Sequence, residues 1–348
     1  MSRRALLPLS LLPLLMPGAA PRAAGQEANQ PLRIGIIGLD TSHVVAFTKV
    51  LNDPKAAGDL AGIRVVAAYP GGSPDVAASR DRVAGYTRQL REEFGVEIVD
   101  SIAALLEKVD VVLLESVDGR PHLEQVRPVL EARKPVFIDK PVAGSLADAL
   151  RIYALAEAAG VPCFSSSSLR YSPSIAGART DPRVGSVVGC VAYGPSTLEE
   201  HHPDLFWYGI HGVESLFTVM GTGCVSVARV QTEGTELVTG TWADGRVGTF
   251  RGIRQGKADY GVLVFGSKEI VHSHGYGGYE PLLVEIARYF RTGKSPVPAA
   301  ETLEIVAFME AADESKRRGG VSITLESVMA RAREQAARDR QREEQGGR

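Results

Sequence analysis

The chain has 348 residues, of which 44% are hydrophobic and 23% charged, the balance of a globular protein of about two domains and not of a disordered or membrane-spanning one. Lys and Arg total 39 against 41 for Asp and Glu. Without a basic face there is little electrostatic reason to expect a nucleic-acid partner, so a small-molecule ligand is the better expectation.

The first 25 residues combine a basic start (Arg3, Arg4), an apolar stretch from Ala5 to Met16 and small residues at Ala23-Ala24-Gly25, the three-part layout of a signal peptide. Pro8, Pro13 and Pro17 make this stretch a poor spanning helix, so the mature chain is expected to hold no integral membrane segment. Ser2-Arg3-Arg4-Ala5-Leu6-Leu7 also resembles a twin-arginine signal, which exports folded protein; a periplasmic location is the expectation. Cleavage after Gly25 removes three arginines and no acid, leaving a mildly acidic surface. Cys163, Cys190 and Cys224 are widely spaced and form no CxxC, so they predict neither a disulfide framework nor a zinc knuckle.

From Leu32 onward, short Val/Ile-rich runs near 33–39, 63–69, 97–99, 109–116, 135–139 and 161–165 alternate with helical patterns. That alternation predicts a doubly wound parallel sheet over 31–165. Ser145 with Asp148 forms a capping-box pattern ahead of an apolar stripe that stops before Gly160. The helical segment from Pro121 to Arg133 contains Pro128, which removes a backbone bond or kinks it. Over 166–325 the pattern changes to longer strand-like runs at 186–193, 224–231, 235–242, 246–253 and 259–272. These predict a second α/β domain with an open, mainly antiparallel sheet, one helix near 208–219 and a late helix over 302–318. After Glu326 the chain is rich in Arg, Glu, Gln and Ala without an apolar stripe, and 326–348 reads as a charged tail that forms a solvated or frayed helix.

Leu32 to His43 looks like a first strand, turn and helix start of a dinucleotide-binding domain. Gly35 lies within the strand and Gly38 opens the turn. In the G-x-G-x-x-G frame, Asp40 then takes the second glycine position and His43 the third, placing a carboxylate where a pyrophosphate approaches. No acid ends the second strand to hold an adenosine ribose; Ser73 and Arg80 are possible partners of a 2'-phosphate instead. Asp40 and His43 either belong to a helix N-terminal turn, with Thr41 or Ser42 as cap, or project into the crevice beyond the strand ends where ligands of doubly wound sheets bind.

Three further stretches carry a resemblance across the rest of the chain. Phe137-Ile138-Asp139-Lys140-Pro141-Val142 resembles the Glu-Lys-Pro signature of the Gfo/Idh/MocA oxidoreductases, with Asp for Glu. Tyr208-Gly209-Ile210-His211-Gly212-Val213-Glu214 resembles that family's Gly-x-His-x-x-Asp segment, and Arg291 to Pro296 through Ser315 to Gly320 its C-terminal segment. The resemblance implies a Rossmann domain followed by an α/β domain, NAD or NADP as cofactor, and a sugar or polyol-like substrate. Asp139, Lys140 and His211 become the catalytic candidates, since hydride transfer from a secondary alcohol requires the hydroxyl proton to leave as well. Gly35, Gly38, Asp40, Thr41, Ser42, His43, Ser73 and His122 become the cofactor-side candidates. The family commonly carries an Asp four residues before the histidine, where this chain has Trp207.

Other readings remain open. His201 or His202 with Asp204, His211 and Glu214 could bind a divalent metal, although their spacing matches no tight motif and no metal is the primary expectation. A non-redox lyase or hydrolase on the same scaffold, or a carbohydrate-binding protein without turnover, are the alternatives to an oxidoreductase. Open sheets in second domains often pair face to face, so a homo-oligomer is expected by analogy.

Overall fold

The computed structural model describes residues 30–346; the export signal expected over 1–25 lies outside the described residues. Among the described residues no helix is long and apolar enough to cross a membrane.

The first half of the chain runs β1 (Leu32–Ile37), α1 (His43–Leu51), β2 (Ile63–Tyr69), α2 (Ala77–Phe94), β3 (Glu97–Ile98), α3 (Ile102–Leu106), β4 (Val111–Leu114), α4 (His122–Glu131), β5 (Val136–Ile138), α5 (Leu146–Ala159) and β6 (Cys163–Ser165). The six strands are parallel in the order β3-β2-β1-β4-β5-β6. Strand order reverses between β1 and β4, so a crevice opens over their carboxyl ends, as in other doubly wound sheets. Because helices cover both faces, β1 buries Ile34 and Ile36 on one side and Ile37 on the other. Gly35 has a packing role: a Cβ there would meet Leu105 at 3.0 Å, so its absence lets α3 sit close to β1. The capping box is present, with Ser145 Oγ accepting from Asp148 N–H at 3.1 Å and Gly160 closing α5 in the left-handed region.

The second half adds α6 (Pro173–Ala176), β7 (Val187–Pro195), α7 (Ile210–Met220), β8 (Cys224–Gln231), β9 (Thr235–Trp242), β10 (Val247–Ile253), β11 (Gly261–Gly266), β12 (Ile270–His274), α8 (Glu280–Thr292), α9 (Ala299–Arg317), β13 (Ile323–Thr324) and α10 (Leu325–Gly346). Its sheet has the order β12-β11-β7-β10-β9-β8-β13 and is antiparallel except where β7 pairs β10. The two-sheet α/β architecture is as the sequence predicts.

Three details differ from the sequence reading. The run 259–272 is a hairpin, turned where Gly266 N–H donates to Glu269 O. Helix α8 has no counterpart among the predicted elements. Yet Pro281 in its first turn, Leu282, Leu283, Ile286 and Phe290 on one face and Gly293 at φ 68° after its end spell out an amphipathic helix. It returns to the first sheet, where Tyr289 packs on Phe164 at 5.0 Å between ring centroids. The charged tail is the expected helix but carries a narrow stripe: Val328, Ala332 and Ala336, four apart, are buried within the core that also holds α5 and α9 side chains. Small residues hid that stripe from a hydropathy reading.

Helix α7 lies flat on the second sheet because Gly212 has no side chain. A Cβ there would fall 2.0 Å from the ring of Phe250, which is fully buried on β10. Gly212→Ala must therefore push α7 and its neighbour His211 off the sheet. Denaturant unfolding is expected to show a loss of about 1–3 kcal/mol, the usual range for overpacking.

Candidate active site at the carboxyl edge of the first sheet

The backbone beyond the strand ends continues the sheet for one more residue. Glu115 N–H donates to Ile37 O at 2.7 Å and Asp139 N–H donates to Leu114 O at 2.8 Å. These bonds fix two acidic residues side by side, just past β4 and β5, at the point where strand order reverses. His43, the first residue of α1, brings its Nδ1 to 2.9 Å from Asp139 Oδ2 and 3.6 Å from Glu115 Oε2. Its ring stacks on Phe47 and meets the edge of Tyr279, 4.8 Å away, at the start of α8. Lys140 is also buried, with Nζ 3.5 Å from Asp139 Oδ2.

Charge in so little water shifts protonation. Burial opposes ionisation of Asp139, but the His43 and Lys140 charges hold its carboxyl well below the usual range. Burial and the like charge of Asp139 push Glu115 up to about 7. Burial favours a neutral His43, yet the Asp139 carboxylate overrides it and raises the imidazolium to about 9.

His211 reaches the same region from α7. Its Nδ1 lies 2.7 Å from Ser167 Oγ, which already accepts from Leu169 N–H. The serine hydroxyl can therefore donate to Nδ1, leaving the ring proton on Nε2. Burial, reinforced by the positive charges of Lys140 and His43, depresses the His211 pKa well below its ordinary value, so the ring is neutral at pH 7. Tyr208 and Tyr260 flank it with ring centroids at 5.7 and 5.9 Å, and Tyr276 stands 5.6 Å from Tyr279. The sequence reading missed Glu115, Ser167 and these tyrosines. The Gly275-Tyr276-Gly277-Gly278-Tyr279 segment is the one signal that could have marked them, as a glycine-hinged aromatic loop.

The remaining candidates form a second, distinct network over the turn. Gly38 has φ 86°, and a Cβ would sit 2.3 Å from Ser116 Oγ, so only glycine allows the β4 loop this close. Asp40 is fully buried and accepts from Val117 N–H at 2.9 Å and Ser79 Oγ at 2.6 Å. Ser73 donates to Asp118 at 2.7 Å, and Asp118 also receives Arg120 and His202. Thr41 is buried and its Oγ1 accepts from His43 N–H at 3.5 Å, whereas Ser42 is exposed and makes no side-chain cap bond. His122 lies wholly inside the fold, its ring nitrogens 2.8 Å from Ser116 O and 3.3 Å from Val142 O, where it braces two loops. The candidates His201, His202, Asp204 and Glu214 are not brought together. Both histidines bond Glu199, Asp204 pairs with Arg229 and Lys316, and Glu214 accepts from Ser166, Ser167 and Arg170.

A nicotinamide dinucleotide in the pose of the glycine fingerprint lays its pyrophosphate across this turn. Here Gly38 N–H and Leu39 N–H are already given to Tyr69 O and Pro70 O, and Asp40 bridges the turn to α2 and the β4 loop. Asp40 thus sets a carboxylate, held inward by α2 and the β4 loop, at the cradle where a dinucleotide of this fold would place its pyrophosphate, and Ser73 on the adenosine side is bonded to Asp118. The metal-type donors present are His43, Glu115 and Asp139, whose ligand atoms lie within 4.8 Å of one another.

His43 and Glu115 bind protons more tightly in the fold than their ordinary values of 6.5 and 4.5. Their contribution to stability is therefore complete below those values and is lost as pH rises through about 7 and about 9. In EDTA the thermal midpoint is expected to fall by several degrees between about pH 6 and pH 9.5, and His43→Asn to flatten the upper part of that slope.

Residues 32–167 match a family model described as an oxidoreductase family with an NAD-binding Rossmann fold, GFO_IDH_MocA. A comparison with curated proteins finds no match. Among solved structures, a probable dehydrogenase from Thermotoga maritima superposes with a TM-score of 0.69 at 21% identity, covering 85% of this chain and 100% of its own. The myo-inositol 2-dehydrogenase from Lactobacillus plantarum gives 0.70 at 16% identity over 85% of this chain and 99% of its own. An Agrobacterium radiobacter oxidoreductase in complex with NAD+, L-tartaric acid and magnesium gives 0.68 at 16% identity over 86% and 99%. At these identities the structural likeness is one of fold. Residues 32–167 are thus similar to the Gfo/Idh/MocA oxidoreductase family with its NAD-binding Rossmann fold.

Proposed function

We propose that this protein is an exported NAD(P)-dependent oxidoreductase that acts on a sugar or polyol-like hydroxylated substrate, with Lys140 and His211 managing the proton of the reacting hydroxyl and the nicotinamide, when bound, accepting its hydride. The observation that carries the reading is a buried ammonium just past β5 beside a neutral imidazole from α7, near enough for the ammonium to lower the imidazole's pKa. A neutral ring can accept a proton, and an adjacent ammonium stabilises the alkoxide that its loss creates. Tyr208, Tyr260, Tyr276 and Tyr279 supply amphipathic faces of the kind that line sites for ring-shaped polar ligands. The names of the inositol dehydrogenase and the tartrate-bound oxidoreductase support a polyhydroxy substrate. The three-part layout of the first 25 residues supports export. Exposed Val188, Val230 and Ile270 on the open sheet support pairing with a second copy.

A second reading, a lyase or hydrolase that needs no dinucleotide, is favoured by one observation: the Asp40 strut that closes the turn. Calorimetry with NAD(H) and NADP(H) separates the two. Saturable binding, strengthened tenfold or more by Asp40→Gly, supports the oxidoreductase; absence of binding in both the native chain and the variant supports the non-redox enzyme. Under either chemistry, Lys140→Met and His211→Asn are each expected to lower kcat on the identified substrate by about 100-fold or more, the usual scale for general acid–base groups. Unchanged turnover in both variants would remove them from the reaction.

A further inference from the structure

We infer that His43, Glu115 and Asp139 form a binding site for one divalent transition-metal ion of the zinc or manganese class, at the switch point of the first sheet. The three residues come from the turn after β1 and from the ends of β4 and β5. Sequence spacing could not have grouped them. Their ligand atoms lie within 4.8 Å of one another, and all three residues are buried. The decisive feature is what these atoms lack. Both oxygens of Glu115, both oxygens of Asp139 and Nδ1 of His43 are buried without a hydrogen-bond partner. Although Nδ1 lies 2.9 Å from Asp139 Oδ2, the two are not in hydrogen-bond alignment. Buried carboxylates are ordinarily paired or hydrogen-bonded; three residues that each turn an unbonded donor atom toward the others, within reach of a single ion, describe a cation's ligand shell.

The chemistry narrows the ion. One imidazole nitrogen with two carboxylates suits zinc or manganese better than calcium, which takes six or more oxygens. Three protein ligands leave coordination positions free, as catalytic sites do. The other grouped donors, Glu199, Glu200 and His201, are different in kind: Glu200 is exposed, and Glu199 is already bonded to both His201 and His202. Lys140 stands 3.5 Å from Asp139, so its ammonium competes with the ion for that carboxylate and limits the charge the site can gather. The inference concerns the ion alone and stands whether or not a dinucleotide binds.

The test uses the full chain, stripped with EDTA and dialysed, then titrated with zinc chloride or manganese chloride by calorimetry, with metal content measured by mass spectrometry. One equivalent of zinc or manganese is expected per chain. Glu115→Gln and Asp139→Asn should each weaken binding by roughly 100-fold, while Glu199→Gln leaves it unchanged. No saturable binding of either metal, or binding lost in Glu199→Gln and retained in the other two variants, would overturn the assignment. Should the site variants fail to fold, crystals of the unaltered chain soaked in manganese chloride decide the matter. An anomalous peak between His43, Glu115 and Asp139 supports the site, and a peak elsewhere or none overturns it.

Discussion

Two carboxylates forced together at the ends of neighbouring parallel strands set the terms for everything around them. Glu115 and Asp139 are placed by backbone bonds that extend the sheet, so their proximity follows from strand pairing and not from side-chain preference. Like charges in a space this dry repel strongly, and the fold responds by surrounding them with positive or protonatable groups: Lys140 at the next position and His43 from the helix opposite. Phe47 and Tyr279 then close over His43 and keep water away, which strengthens every remaining charge interaction. The site is polar chemistry held in an apolar mount.

The same turn that delivers His43 carries the second constraint. In this turn the amides of Gly38 and Leu39 are given to Tyr69 O at the end of β2 and to Pro70 O, and Asp40 ties the turn to α2 and the β4 loop. Two of the three glycine positions of the fingerprint have thus become parts of internal networks. Asp40 serves one that braces the loops, and His43 serves one that faces the crevice. Family likeness and local chemistry pull in different directions at this point, and the difference is confined to a handful of side chains on an otherwise conventional sheet.

The strands of the first sheet, the capping box of α5 and the place of Lys140 just past β5 were legible in the sequence because each is a local pattern: apolar runs, a Ser-x-x-Asp start and a short strand-end motif. Helix α8 was equally legible in Leu282, Leu283, Ile286 and Phe290, which lie between the last strand-like run and the C-terminal resemblance and were assigned to no element. Glu115 was not legible. It follows Val111 to Leu114 as an acid follows many strands, and nothing in its neighbours shows that it turns inward to meet residues from β1 and β5. The metal candidates His201, His202, Asp204 and Glu214 failed for the complementary reason: closeness in sequence suggested a cluster, while each had a partner elsewhere, such as Arg229 for Asp204 and Arg170 for Glu214. Buried polar groups are assembled by topology, and topology is what a linear pattern records least.

The account rests on Glu115 and Asp139 facing a common cationic partner in the crevice. Carbon-detected NMR of side-chain carboxyls in the EDTA-treated chain, followed as zinc is added, observes this directly. Selective movement of the Glu115 and Asp139 signals, saturating at one equivalent while the other carboxyls stay fixed, is the predicted result. Signals from these two residues that stay in place while Glu199 moves would contradict it.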